Sequence, residues 1–397
     1  MAATSINSGV VDTSSPLSNR LRVDMHDPIR MLDPDVSQFS TMLTDPRLPS
    51  EKANSYIVEW LEDRLLPRVL SISASAASSD TTLTTGTGEG SYAKTGDILR
   101  LTQTGEAVRV TSATANSLTV VRAIGSVTAA SAASGVLGGG TAIIVGGSNR
   151  QGGSLPTRLI TKQTRNYNYT QIVRNSYGFT RTAQQSNWYG GANSLLEYER
   201  EKKASEHKTD IENMLFYGAR AYSADTAPLA SAGGLFEFIS TNKTNGAGTF
   251  AKATLQTWLT TALQYGSQHK VLFASPVVAA VFSAYLADNW VRADPGTTLY
   301  GAHVNNIISA AYGANIPVIV KRQWGSYGTA TSGAYQPAGS AFLVDLESVA
   351  LAPMQTSVRL SDRQANDADG VDEEYLAELS LVVKQESHHA LLYGITG

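Results

Sequence analysis

The order of apolar and polar residues changes character several times along the chain, and each change marks an element. Over Asp97 to Leu101, Ala107 to Thr111 and Ser117 to Arg122 the two classes alternate, with Thr104-Gly105 and Ala115-Asn116 at the breaks. Alternation sends successive side chains to opposite faces, so half-buried antiparallel strands are predicted. Ile98, Leu99, Leu101, Val108, Val110, Leu118 and Val120 supply their core. They lie in residues 70–155, a stretch dominated by Ser, Thr, Ala and Gly, which reads as a small β-module inserted into something larger. A second β stretch runs from Leu159 through Ile172 and Val173 to Phe179 and Thr182.

The pattern then turns helical. Ser194 with Glu197 three residues on fits a capping box, and Gly218 stands where a helix stops. The predicted helix, Leu195 to Tyr217, carries one narrow apolar stripe (Leu196, Ala204, Ile211, Leu215) and a middle charged nearly all round. It reads as a long strut lying on a sheet, with Glu199 and Lys203 as an i,i+4 pair and His207 on the solvated face. Beyond Gly233 a mixed α/β pattern follows. Helices are predicted over Ala251 to Tyr265, from Pro276 to about Ala287 with Ser275 as N-cap, and over Val304 to Tyr312 before Gly313. Strands are predicted at Lys270 to Ala274, Ile316 to Lys321, Ala341 to Val344, Val349 to Leu351 and Tyr375 to Lys384. In the last, Leu379, Leu381 and Val383 share one face.

Five of the 13 prolines fall in the first 49 residues, which show no long apolar period. Proline fixes φ and pushes its predecessor out of the α region, so an extended arm is predicted, with a disordered tail as the alternative. Ile29, Met31, Leu32, Phe39 and Met42 are its candidate anchors on a neighbouring molecule. On that reading, deleting residues 1–45 impairs assembly and leaves the monomer folded.

Composition narrows the function. Charged residues make up 16% of the 397, against about 25% in ordinary soluble domains. A surface so poor in charge is either covered by other subunits or kept soluble by small polar residues. The net charge of −3 provides no sequence-wide basic field for nucleic acid. The absence of Cys removes disulfides, thiolate metal sites and cysteine nucleophiles. The first residues lack the basic and apolar regions of a signal peptide, and no apolar run reaches the ~20 residues that span a bilayer. The sequons at Asn168 and Asn242 therefore carry no weight as glycan sites.

Chemistry finds little support. The six histidines form no HExxH or Glu-x-x-His pair. Gly146-Gly147-Ser148-Asn149-Arg150 fails the nucleophile-elbow pattern at its fifth position, and Gly86-Thr87-Gly88-Glu89-Gly90 lacks the Lys-Ser/Thr of a phosphate loop. No catalytic, metal or cofactor residue is assigned and no cofactor is expected.

Several short stretches, in order, resemble the major capsid (head) proteins of tailed bacteriophages, in particular a subfamily with a β-rich insertion. They are Gly96-Asp97-Ile98-Leu99-Arg100 with Gly105-Glu106-Ala107-Val108-Arg109-Val110, Asn168-Tyr169-Thr170-Gln171-Ile172, and Thr180-Arg181-Thr182-Ala183. Asp210-Ile211-Glu212 before Gly218, Glu378-Leu379-Ser380-Leu381 and Ala390-Leu391-Leu392-Tyr393-Gly394 complete the set. The likeness spans roughly residues 50 to 397, and no single motif carries chemistry.

The resemblance implies an α+β fold of the tailed-phage and herpesvirus capsid type. Its parts would be an N-terminal arm (1–52), an extended β loop with peripheral strands (53–69 and 156–187), and the inserted β-module (70–155). A spine helix (188–235), an axial α/β domain (236–345) and returning peripheral strands (346–397) would follow. It also implies self-assembly into pentamers and hexamers of an icosahedral head enclosing double-stranded DNA without sequence-specific binding or membrane contact. A separate scaffolding protein, a portal and a decoration protein are the expected partners, and assembly would take place in the bacterial cytoplasm. Phe39, Trp60, Arg64, Arg165, Tyr167, Glu199 and Lys203 are the candidate interface residues. A surface-layer or tail-tube protein is the structural alternative. A hydrolase or carbohydrate-binding protein using the 17 Tyr and five Trp is the remaining one.

Overall fold

The computed structural model describes residues 37–128, 139–153, 155–186, 195–225, 227–248, 251–286, 298–299, 302–303, 305–309 and 314–396. The chain divides into two compact units, one of residues Met1–Trp60 with Asn166–Gly397 and one of Leu61–Arg165.

The larger unit holds a six-stranded mixed sheet in the spatial order Lys243–Gly248, Ala390–Ile395, Ala341–Asp345, Lys270–Ala274, Ala314–Val320, Asn305–Ser309. The first pair and the Lys270–Ala274/Ala314–Val320 pair are parallel, and the rest are antiparallel. Lys270–Ala274 and Ala341–Asp345 are buried along their whole length, because both faces of the sheet are covered. Val271, Phe273, Phe342 and Val344 point into one core, which also takes in Ile211, Met214, Leu215 and Phe216 of the long helix. Leu272, Ala274 and Leu343 point into the other, against Leu255, Trp258 and Leu259 of the helix Lys252–Ala262 and Val278 and Phe282 of the helix Pro276–Leu286. Ser275 caps that last helix as expected, its Oγ accepting the Val278 N–H at 3.3 Å.

The same unit carries a three-stranded antiparallel sheet of Val349–Leu360, Gly370–Val383 and Gln171–Thr180. Leu379, Leu381 and Val383 enter the core on one face. The neighbouring Val382 enters a small cluster on the other, with Ala53, Trp60, Ala350 and Ala352. Val349–Leu360 is far longer than the Val349-to-Leu351 segment expected from sequence, because Pro353 interrupts the pattern. The strand tolerates the missing N–H through register shifts beginning at Pro353.

Unit Leu61–Arg165 is a six-stranded antiparallel sheet in the order Val69–Ser71, Thr141–Gly147, Asp97–Leu101, Ala107–Ala113, Ser117–Val121, Thr82–Thr84. Its outer strands meet. Ile72 and Thr85 form an antiparallel bridge, Ser73 N–H donates to Thr84 O at 3.0 Å, and Gly86 N–H donates to Ser71 O at 3.1 Å. The sheet is thus a closed small barrel with no free edge. Leu70, Leu83, Leu99, Leu101, Val108, Val110, Leu118, Val120, Ala142 and Ile144 fill it. Six of the seven anticipated core residues are among the buried ones; Ile98 alternates outward and is half-buried.

The long helix covers Leu195–Tyr217, as predicted, and Gly218 N–H closes on Met214 O at 2.9 Å. Ser194 lies outside the described residues. Three expectations about this helix change. Its last two turns are core, and His207 is buried, its Nδ1 2.7 Å from Asn175 Oδ1 and its ring stacked on Tyr375. The Glu199–Lys203 pair gives way to i,i+3 contacts, Lys202 with Glu199 at 4.0 Å and Lys203 with Glu206 at 2.5 Å.

Two further corrections follow. Within Val304 to Tyr312, residues Asn305–Ser309 form a strand, antiparallel to Ala314–Val320, not a helix. Ile307 and Ile308 satisfy a helical stripe, but as β-branched residues they pack at least as well on a pleated sheet. Residues 1–36 of the arm lie outside the described residues, whereas Gln38–Leu43 is a short helix whose Phe39, Met42 and Leu43 are buried in this chain's own core. Deleting residues 1–45 would remove those three side chains. Each is worth about 1.5–3 kcal/mol of burial, so that deletion would not leave the monomer intact.

Candidate assembly surfaces

Buried polar groups hold the larger unit together. Glu212, near the end of the long helix, accepts the main-chain N–H of Phe39 (Oε1, 2.8 Å) and of Ser40 (Oε2, 2.8 Å). Its carboxylate also pairs with the Lys321 ammonium, both side chains being buried. Lys321 lies 5.6 and 5.5 Å from the ring centres of Phe216 and Phe273. One carboxylate thus neutralises a core lysine and supplies acceptors to the open N–H groups of a helix start, which is where negative charge is favoured.

A second network joins the three-stranded sheet to the charged half of the long helix. Adjacent strand residues point to opposite faces, and Glu373 and Glu374 recruit separate partners accordingly. Glu373 accepts a bidentate pair from Arg200 (2.8 and 2.5 Å) and the Tyr177 hydroxyl (2.5 Å), with Arg359 at 3.4 Å. The Arg200 guanidinium holds its carboxyl down to about 2. Glu374 takes Arg174 and Arg363, each at 2.9 Å through Nε, and Arg174 first among its causes keeps it below the ordinary carboxylate range.

Three other buried polar groups have structural roles. Lys270 donates to the carbonyls of Ala262, Tyr265 and His388 at 2.6–2.8 Å, and burial lowers its pKa to about 8. His389, fully enclosed, accepts the Asp345 N–H on Nδ1 at 3.1 Å, and burial pushes it down to about 3. Asn168 makes four hydrogen bonds, to Gly233 N and O, Leu381 O and Tyr169 N. Its amide therefore has no access for a glycan.

The outward surfaces are different. Residues 61–68 and 155–163 form little regular structure and leave Leu65, Leu155 and Ile160 91%, 83% and 87% exposed, beside the exposed Arg64, Arg158 and Lys162. In the larger unit Tyr56, Tyr169 and Tyr222 stack at 5.4–6.5 Å. Tyr167 meets Tyr169 edge-on at 5.6 Å, and the Arg220 guanidinium sits 4.5 Å over the Tyr167 ring. Aromatic and Arg side chains in this arrangement are the usual anchors of protein interfaces.

The candidate interface residues separate accordingly. Tyr167 belongs to the exposed aromatic group, and Arg64 and Arg165 are exposed on the smaller unit. Phe39 and Trp60 are not offered to a neighbour; the first packs between Phe216 and Phe273, the second against Phe238 at 5.7 Å. Glu199 and Lys203 are half-buried and paired along their own helix. Sequence reasoning missed Tyr56, Tyr169, Tyr222 and Arg220, for which the Asn168-Tyr169-Thr170 run was the only local signal. Among the described residues no group of three His, Asp or Glu could hold a metal ion, and no helix is long and apolar enough to cross a membrane.

The sequence fits the family model of the SU10 major capsid protein over residues 4–396. No curated protein matches it. Among solved structures the chain is similar to the capsid of an empty GTA particle, with a TM-score of 0.51 and 9% identity over 98% of this chain and 100% of that one. A likeness to a protein of Mycobacterium phage Ogopogo has a TM-score of 0.48 and 12% identity over 97% and 99%. One to the holo-SrpI encapsulin complex of Synechococcus elongatus PCC 7942 has 0.41 and 11% over 59% and 78%. At 9% identity the likeness to the empty GTA particle is one of fold alone. The family match over almost every residue of an α+β chain leads to one conclusion: this chain belongs to the SU10 major capsid protein family and is a structural, non-enzymatic subunit of a phage-type capsid shell.

Proposed function

We propose that the chain assembles as pentamers and hexamers into an icosahedral head around double-stranded DNA, in the cytoplasm of a bacterial host. Residues 53–69 and 156–187 act as the extended loop laid over the adjacent subunit, carrying the β-module of residues 70–155. Residues 188–235 are the spine, 236–345 the axial domain at the capsomer centre, and 346–397 the returning peripheral strands. Residues 1–52 form the arm. A separate scaffolding protein, a portal and a decoration protein complete the particle.

The observation that carries this reading is the exposure of Leu65, Leu155 and Ile160 among basic side chains in the stretches flanking the barrel. Large apolar groups left in water at this density mark surfaces that another molecule covers. In a shell that molecule is a second copy, which also accounts for the low charge content, since charge is costly to desolvate at contacts. Electron microscopy of the purified protein, alone and with its scaffolding partner, tests it. Closed shells built of five- and six-fold capsomers are expected; tubes, sheets or persistent monomers would refute it.

A further inference from the structure

The outer face of the barrel is unusual for a surface meant for water. An antiparallel sheet with one buried face normally turns polar residues outward. Here Val69 stands opposite Ile143, Ile143 opposite Arg100, Ile98 opposite Arg109 and Arg109 opposite Val121. Five adjacent strands thus present valine, isoleucine and two guanidiniums side by side. Val145, 64% exposed, extends the patch.

Carboxylates are missing from this face because the unit uses them elsewhere. Glu106 is buried in a bidentate pair with Arg122 at 2.8 and 2.7 Å. Asp97 is buried and accepts the Lys94 N–H at 3.0 Å. Glu89 accepts the Ser71 N–H at 2.5 Å. Among the described residues neither Arg100 nor Arg109 has a carboxylate partner. Residues 61–165 hold ten Lys and Arg against six Asp and Glu, a net +4, while the rest of the chain holds 21 against 28, a net −7. The chain is therefore divided into a basic module and an acidic body.

On that acidic body the turn between Val349–Leu360 and Gly370–Val383, with the start of the second strand, is a concentrated source of exposed negative charge among the described residues. It carries Asp362, Asp367, Asp369 and Asp372, all exposed. Arg363, the one cation in the turn, faces Glu374 at 2.9 Å, and Arg181 pairs with Asp369.

We propose that the outer face of the barrel docks on the Asp362–Asp372 turn of a second copy of this chain. The inference rests on the shell reading and adds to it a specific heterologous contact, basic module to acidic turn, of the kind that propagates around a ring or across a shell. The apolar half of the face argues against DNA as the occupant. Phosphates are held by Lys, Arg and polar donors, and such contacts give Val69, Ile143 and Val145 nothing to bury against. A like-charged module would be repelled, and an acidic one attracted and held in register.

A charge exchange between two versions of the chain tests this in trans. The Arg100→Glu/Arg109→Glu variant and the Asp362→Lys/Asp367→Lys variant alter exposed side chains only, so each monomer should melt like the wild type. Each alone should lose at least tenfold in particle yield, and an equimolar mixture should recover most of it, since one variant's module then matches the other's turn. Full assembly of either variant alone, or no recovery on mixing, would overturn the contact. So would Arg100→Glu/Arg109→Glu particles that form normally and lose only their DNA. Because the chain has no cysteine, a Val145→Cys/Asp367→Cys variant gives a second readout independent of charge. A short bis-maleimide should join subunits in particles of the double variant and in neither single one, and its failure to do so would count against the contact. Wild-type chains that form no shell at all would refute the shell reading itself, whereas wild-type chains that form shells while the Val145→Cys/Asp367→Cys particles stay unlinked refute only this contact.

Discussion

The Phe39 N–H points at the Glu212 carboxylate from 2.8 Å, across 173 residues of sequence. That single acceptor, shared with Lys321, fixes where the N-terminal segment joins the body of the subunit. Replacing Lys321 with Met leaves the Glu212 charge buried with only main-chain N–H partners. A loss of about 3–5 kcal/mol is expected in chemical denaturation of the unassembled subunit. The double variant Glu212→Gln/Lys321→Met should recover part of it, and equal losses for single and double variants would show that the two side chains do not act together.

Acid sensitivity should have two named sources. Glu373 is held at about 2 in the folded chain, against about 4.3 in an unfolded one. Its depressed value contributes stability above pH ~4.3 that disappears as pH falls toward about 2. His389 is held at about 3 by burial, against about 6.5 unfolded. The unfolded chain then binds the extra proton between those values, so stability again falls with falling pH, beginning higher, near 6.5. Denaturation midpoints across pH 3–7 should flatten between 6 and 4.5 in His389→Gln, whereas in Glu373→Gln the fall below 4.5, to which His389 still contributes, should become shallower.

Lys270 works in the opposite range. Its pKa of about 8 in the fold lies below the ~10.4 of an unfolded lysine. Between those values the unfolded chain holds more protons, so the Lys270 contribution rises with pH from about 8 to 10.4. Lys270→Met should abolish that rise, and an unchanged slope would contradict the assignment.

The barrel has its own core, and damage to it should stay local. Leu99→Ala empties a fully buried position, and a cost of about 2–5 kcal/mol is expected for such a truncation. Hydrogen exchange should accelerate in residues 69–147 and remain unchanged in Lys270–Ala274. Uniform acceleration through both units would show that they unfold as one.

The parts of this fold legible in sequence were those set by local pattern. The barrel strands follow from a period of two, the helix Leu195–Tyr217 from its stripe and Gly218, and the helix Pro276–Leu286 from Ser275-Pro276. What escaped depends on contacts between distant segments. Phe39 looks like an arm residue until Glu212 and Phe273 surround it, and His207 looks solvated until Asn175 and Tyr375 cover it. Closure of the barrel rests on Ile72 meeting Thr85, a matter of register that no local window contains. Asn305–Ser309 was misread because Ile307 and Ile308 suit either period. The aromatic group at Tyr56, Tyr167, Tyr169 and Tyr222 comes from three separate stretches of chain, and only folding brings them together.

The most direct test is hydrogen exchange by mass spectrometry on residues 61–69 and 155–165, comparing free subunits with purified particles. If copies of this chain cover one another there, exchange in both stretches slows at least tenfold on assembly while Lys270–Ala274 stays unchanged. Equal exchange in the two states would contradict a shell in which these flanks meet a neighbouring subunit.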